Sequence, residues 1–538
     1  MLSYTATARS QATKAFGAAA ITVFSLLSGP LAAQVTAFKQ AVAQSAAQDE
    51  DIAAFYRDTD YAPVWTGAEE THRERRSELL RALANARAHG LPEAKYDARG
   101  LLEDLGEADT AWERGVAEVT LTKAYLEYAR DIQTGILIPS RVDSGIKREV
   151  PYRERRSYLV DITSKPSAAV FRSLPPTTLE YNALLKQKLT MERLLVRGGW
   201  GPQVPSAKLE RGDSGAAVVA LRNRLIAMGF LARSNTQLYD AEIEDAVFAF
   251  QRSHGLEEDG VAGENTLVQI NKTVAERLQS VVVALERERW LNVERGERHI
   301  LVNLPDFHTR IIDNGKLTFM TRSVVGARQD DRPTPEFSDV MDHMVINPSW
   351  YVPRSIATKE YLPVLQRNPY ALQHMEITDN RGRKVNRGSA NFRAFSARSF
   401  PYSMRQPPSR DNALGLVKFM FPNKYNIYLH DTPVKSLFDQ NVRDFSHGCV
   451  RLAEPFEFAY ALLARQTDDP EGLFKAHLNS GRETRVNLEQ PVPVHLIYRT
   501  AFTNARGVTE YREDVYGRDG RIWDALSRAG VTLGGVQG

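Results

Sequence analysis

Apolar positions recur at helical spacing along the first half of the chain and switch to a shorter period in the second half. Leu79, Leu80, Leu83 and Ala86 repeat every three or four residues, and Gly90 and Pro92 follow as a stop signal. Residues 116–132 predict a further helix, with Gly135 at its C-terminal end. Tyr56, Tyr61 and Trp65 precede it as core aromatics. Residues 51–195 therefore read as a mostly helical domain whose acids and histidines are surface and capping groups. Residues 207–271 predict a bundle of three short helices. In the first, Asp213 or Ser214 is the cap, Val218, Leu221, Leu225 and Met228 form the stripe, and Gly229 is the stop. Asp240 caps the second, with Ile243, Ala246, Val247 and Phe250 inward and Gly255 at its end. A turn at Asp259-Gly260 leads to a third helix near 266–270.

From about residue 280 the pattern becomes that of strands. Segments 299–303, 310–312, 317–325, 340–346, 416–420, 425–429 and 494–498 are strand candidates, and Asn314-Gly315 is a hairpin turn. Pro455 opens a helix running to Ala464. Residues 351–412 interrupt the strands with a long, polar, Arg-rich stretch, a length that in a compact domain usually marks a lid. The expected architecture is multidomain α+β, with a β-rich domain at 280–525 capped by 351–412.

Composition narrows the function. The 538 residues, 43% hydrophobic and 25% charged, allow two to four globular domains. With 69 basic and 66 acidic residues and no long basic block, nucleic acid is not expected as a partner, whereas an anionic wall polymer stays open. Arg9 and Lys14, an apolar run at 15–28 and small residues beyond it read as an export signal. Cleavage is expected after Ala33, or as late as Ala43 at the site Ala41-Val42-Ala43. The run is short beside the roughly 20 residues of a spanning helix, so cleavage is favoured over an inner-membrane anchor. Residues 34–50 then read as a mobile start to an exported chain.

An exported chain usually holds its cysteines in pairs; this one has a single cysteine, Cys449, in the run Ser446-His447-Gly448-Cys449-Val450-Arg451. A thiol attacks only as thiolate, so it needs a base or a positive field, and its target needs donors for the oxyanion. His430 and His447 are candidate bases, and main-chain N–H groups around Gly448 and Cys449 are candidate oxyanion donors. Arg451 can hold a carboxylate. Zinc is disfavoured, because His447 and Cys449 are one residue apart with no second cysteine. A papain-like protease would place its cysteine ahead of its histidine.

Two sets of motifs resemble known families. Gly212-Asp213-Ser214-Gly215, Ala246-Val247, Phe250-Gln251, His254-Gly255-Leu256 and Asp259-Gly260-Val261 resemble the peptidoglycan-binding module. His430-Asp431-Thr432-Pro433, followed by the run ending in Arg451, resembles the L,D-transpeptidase catalytic domain. Its surroundings, including Val324-Val325-Gly326, Arg332-Pro333-Thr334-Pro335 and Asn347-Pro348-Ser349-Trp350, are similar to those of large Gram-negative members, as is 511–519 near the end. The resemblance implies that 51–195 is a helical scaffold domain, followed by the peptidoglycan-binding module and a sandwich-like β domain with Cys449 as nucleophile, His430 as proton donor and acceptor, and His447 as auxiliary. It further implies that residue 431 orients the base, through either the carbonyl or the carboxylate of Asp431. Tyr428, Ser446 and Arg451 would line the substrate site. No cofactor or metal is implied. The partners would be peptidoglycan stem peptides and glycan in the periplasm, and the activity 3→3 cross-linking. An L,D-carboxypeptidase or an inactive wall-binding protein are the alternatives.

Overall fold

The computed structural model describes residues 29–534, apart from 206, 330, 331, 505 and 506, with side chains from residue 36 onward. The positively charged and apolar parts of the expected export signal lie outside the described residues. The segment beyond them is not a loose start to the chain. Gly29–Ala46 is a helix, and Ala41, Val42 and Ala46 are fully buried against the helix Ala111–Thr134. Phe38, Ala41 and Val42 lie at i, i+3 and i+4, so they share one apolar face. Gly115 permits the approach, since a Cβ there would stand 2.7 Å from the Ala41 Cβ. The later cleavage site is therefore part of a packed helix.

In the scaffold the helix Ala111–Thr134 begins with a Thr110/Glu113 capping box and stops at Gly135. Tyr56 and Trp65 are buried with it. Its acids are not all surface groups. Glu118 is fully buried and accepts from the Tyr56 hydroxyl at 2.7 Å, Val64 N at 2.6 Å and Thr66 N at 2.8 Å. It thereby fixes the loop that carries Trp65, and such a group must be hydrogen-bonded to be buried at all.

The small bundle follows its sequence closely. Its helices are Ala216–Met228, Ala241–His254 and Glu264–Ile270, and Asp240 caps the second at 3.1 Å. Gly215, not Asp213 or Ser214, occupies the first N-cap, because the Asp213 carboxylate turns back to Glu210 N at 2.8 Å. The bundle is fastened to the β domain: Arg512 donates to Ser253 O at 3.1 Å and to Asp306 at 2.6 Å.

The expected change of period at 280 falls inside a helix, Val274–Trp290, in which every residue from Val281 to Trp290 is buried. A helix buried on all sides loses its polar stripe, so periodicity could not reveal it. Its charges are paired instead. Arg287 bridges Glu336 at 2.8 Å and Asp519 at 2.8 Å, and Arg518 joins the same Glu336 at 3.1 Å. Glu288 pairs with Arg499 at 2.6 Å. Glu286 faces the scaffold, accepting from Leu137 N at 2.9 Å.

The strands are β1 Arg298–Asn303, β2 His308–Asp313, β3 Lys316–Gly326, β4 Phe337–Ile346, β5 Trp350–Tyr351, β6 Glu376–Thr378 and β7 Ser403–Gln406. They continue with β8 Val417–Met420, β9 Leu429–His430, β10 Asp444–Ser446, β11 Val450–Leu452, β12 Thr484–Ile497, β13 Ala501–Thr503 and β14 Thr509–Tyr511. Nine form one mixed sheet, ordered β10-β3-β11-β9-β8-β4-β12-β1-β2. A further β2–β3 pairing folds the sheet back on itself, so its inner face encloses a single core with the helix Pro455–Leu463. The expected strand over 425–429 shrinks to its last residue. Asn423 takes the Tyr425 and Ile427 N–H groups at 3.0 and 3.2 Å, which turns that stretch into a loop.

The Arg-rich interruption is a folded subdomain with its own core, including Trp350, Leu365, Ile377, Phe392 and Met404, and a three-stranded sheet β5-β7-β6. Several of its arginines serve its irregular backbone. Arg354 donates to the carbonyls of Ala397 and Phe400, and Arg387 to those of Ala371, Leu372 and Met375.

Arg287→Met should leave Glu336 and Asp519 buried without that cation. The transition of the β domain in urea should then lose about 3–5 kcal/mol. A loss below about 1 kcal/mol would show that Arg518 alone compensates.

Candidate active site

Three neighbouring strands build the site. Lys418 on β8 lies opposite His430 on β9, and His430 lies opposite Arg451 on β11. Residues paired across strands share a face, so Leu429 and Val450 enter the core while His430 and Arg451 point to the other side, under the cap. Tyr428 packs edge-on against the His430 ring, with centroids 5.6 Å apart. Its own ring adjoins the cap core.

His430 is 4% exposed, and its Nδ1 contacts the Asp431 main-chain carbonyl at 2.5 Å. The carbonyl therefore orients the ring. The Asp431 carboxylate is occupied elsewhere, by Leu416 N at 2.8 Å, Thr432 N at 2.7 Å and Lys435 Nζ at 2.7 Å. An N–H on Nδ1 directed at a carbonyl leaves Nε2 as the basic nitrogen.

The loop before Cys449 is held from inside. Ser446 Oγ donates to Cys449 O at 2.5 Å and accepts from Gly448 N at 3.1 Å. Thr334 Oγ1 donates to Gly448 O at 2.8 Å. Gly448 has φ +112°, a region open to glycine, and a Cβ there would meet Ile427 at 3.3 Å. Two expectations change as a result. Ser446 is 1% exposed and braces the loop instead of lining the substrate site. The Gly448 N–H is already bonded to it, so the Cys449 N–H, unbonded among the described residues, is the donor the loop leaves open for an oxyanion.

Cys449 is half-buried, and its Sγ lies 3.6 Å from the Asn426 carbonyl. Burial pushes the thiol up to about 11, opposed by hydrogen bonding from Tyr428 and by the charges of Arg451 and Lys418. Burial also pushes His430 down to about 3, helped by the Arg451 charge and opposed by the Asp431 and Leu414 carbonyls. The resting pair is thus a neutral thiol and a neutral imidazole. Among the described residues no hydrogen bond joins the two.

His447 faces away from this pair. Its Nε2 lies 2.6 Å from Glu360 of the cap, which also meets Arg332 at 3.2 Å. Glu360 sits on a widened helical turn, Ala357–Tyr361, a feature common at functional sites. His447 therefore joins the cysteine loop to the cap. Lys418, Glu360 and Asn426 were not among the expected site residues, whereas Thr334 lies in the Arg332-Pro333-Thr334-Pro335 motif. Only Lys418 carried a usable signal, as a cation inside an apolar strand.

Residues 297–475 match the family described as "L,D-transpeptidase catalytic domain". They form an L,D-transpeptidase catalytic domain. Residues 50–189 match the "Scaffold domain" and 214–270 the "Putative peptidoglycan binding domain". A relative from Haemophilus influenzae, named "Putative L,D-transpeptidase", is 30% identical over 254 residues, which is 46% of this chain and 51% of that protein. The chain thus spans about half the length of the curated relative it matches. Among solved structures, an L,D-transpeptidase from Xylanimonas cellulosilytica aligns at 14% identity and TM-score 0.18, over 55% of this chain and 98% of the other. A fused Zn-dependent amidase/peptidase/peptidoglycan-binding protein from Clostridium acetobutylicum aligns at 12% and 0.16, over 54% and 100%. At those scores neither alignment carries weight.

In this transpeptidase domain, alkylation of Cys449 by iodoacetamide should accelerate with pH toward an inflection near 11. An inflection near the free-thiol value of about 8.5 would contradict the apolar setting. Ser446→Ala removes two loop hydrogen bonds worth about 1 kcal/mol each, so acylation should slow on the order of tenfold. The check is intact mass over time, with alkylation confirming that the thiol is present.

Proposed function

We propose that this chain is a peptidoglycan L,D-transpeptidase that makes 3→3 cross-links through a thioester on Cys449. The observation that carries the reading is the joint placement, beneath the cap, of the half-buried Cys449 thiol and the buried His430 imidazole, the latter oriented by the Asp431 carbonyl. The matched catalytic and peptidoglycan-binding domains support it.

In the proposed reaction the Cys449 side chain turns from the Asn426 carbonyl toward the imidazole. His430 Nε2 takes the thiol proton as sulfur attacks the carbonyl that joins the diamino acid of a tetrapeptide stem to its terminal D-Ala. The oxyanion meets the Cys449 N–H. The C–N bond breaks, the imidazolium returns its proton to the departing D-Ala amine, and a thioester remains. The side-chain amine of a second stem then attacks the thioester, loses its proton to His430, and the thiol is regenerated. Formation of the imidazolium in a buried site is costly, so the ring is charged only transiently. The cap limits water, which favours the amine over hydrolysis. Stem peptide and glycan are the partners in this reading, and the chain acts in the periplasm after export by its N-terminal segment.

Muropeptide analysis tests this directly. The chain incubated with disaccharide-tetrapeptide should give a dimer with loss of D-Ala, and Cys449→Ala should give none. Release of D-Ala without dimer would show an L,D-carboxypeptidase instead. His430→Ala should slow acylation by about 10²–10⁴-fold, whereas His447→Ala, which loses its cap contact, should cost about tenfold or less. Equal small losses would overturn the division of roles.

A further inference from the structure

The two cations beside the thiol have no anion of their own. Lys418, His430 and Arg451 form a row across β8, β9 and β11, and both cations act on the Cys449 sulfur. No described carboxylate lies within ion-pair distance of Lys418 or Arg451, whereas the buried Arg287, Arg289, Arg499 and Arg518 are each paired with one. Arg451 Nε is buried with no hydrogen-bond partner. The acid that acts on Lys418, Glu483, is engaged by Ser349 N at 3.1 Å and Ser349 Oγ at 2.6 Å. Both cations are partly buried, and partial withdrawal from water without an anion is costly. Two of them on one face therefore describe a site that is completed by an anionic ligand.

The position of the site selects the anion. Arg451 follows Cys449 by two residues, a rise of about 6.5 Å along an extended chain. In a tetrapeptide stem the terminal carboxylate lies within one residue length, about 3.6 Å, of the attacked carbonyl carbon. The diamino acid's other carboxylate lies at the far end of its side chain. We propose that Lys418 and Arg451 form a carboxylate subsite that holds the C-terminal carboxylate of the donor stem, and so read the stem's length. This rests on the transpeptidase reading and adds what the site measures. A stem one residue longer carries its carboxylate about 3.6 Å farther away, beyond the two cations. Arg451 supplies the planar fork that matches a carboxylate, and Lys418 a point charge from the adjoining strand.

The test compares a tetrapeptide stem ending in carboxylate with the same stem ending in carboxamide. The full chain is used, and acylation of Cys449 is followed by intact mass. The native chain should prefer the carboxylate by roughly tenfold to a hundredfold in kcat/KM. Lys418→Met and Arg451→Gln should each reduce that ratio mainly through KM, while Lys418→Arg should keep it. An effect on the thiol alone acts on both peptides and cancels in the ratio, as does a loss of folded protein. Equal use of the two peptides by the native chain would overturn the subsite and leave the transpeptidase reading standing. So would unchanged ratios in both variants. Acylation by neither peptide would overturn the transpeptidase reading, and the subsite with it.

Discussion

The ion cluster around Arg287 is the constraint on which the arrangement of this chain depends. Arg287 stands on a helix buried on every side and holds Glu336, at the entrance to β4, together with Asp519, at the start of the helix Arg518–Arg528. Each partner comes from a distant part of the chain, so the cluster closes only when the helix, the sheet and the C-terminal segment have assembled. A buried ion pair adds little net stability over apolar packing, but breaking one is expensive. Its effect here is to define position. Neighbouring residues on the same helix, Glu286 and Arg289, do the same toward the scaffold through Leu137 and Tyr181.

That fixed frame lets the β domain support an unfavourable site. His430 and Cys449 both lie where burial discourages charge, and the cations near them are partly withdrawn from water. The loop between β10 and β11 endures this because its backbone is satisfied internally, by Ser446 and by Thr334 across the sheet. Both groups are neutral at rest. Burial sets that resting state, and the nearby cations oppose it for the sulfur while reinforcing it for the imidazole.

The cap and the small bundle relate to this centre in different ways. The cap has a core of its own and meets the cysteine loop through a polar contact, Glu360 with His447. Such a contact can be exchanged for water at modest cost. The bundle is joined more firmly, because Arg512 reaches from the β domain into both Asp306 and the end of the helix Ala241–His254. Burial opposes the charge on Asp306, yet Arg512 and Arg310 hold its carboxyl far below the usual range. A module fixed in this manner keeps its own surface at a set distance from the thiol.

Local sequence determined a good deal by itself. The bundle helices, their glycine stops, the body of the helix Ala111–Thr134 from residue 116 to its stop at Gly135, and most of the strands follow from periodicity and capping, which act over a few residues. The solitary Cys449 and the His430 motif singled out two residues by type and spacing, which β9 and the loop before β11 bring beneath one cap. The buried helix Val274–Trp290 was not legible, since its charges are paired inward and leave no polar stripe. Nor was the order of the packed first helix, or which oxygen of Asp431 orients His430. Lys418 gained its place only from the pairing of β8 with β9. These depend on partners far apart in the chain, and strand register and burial, which are properties of the assembled fold, decide them.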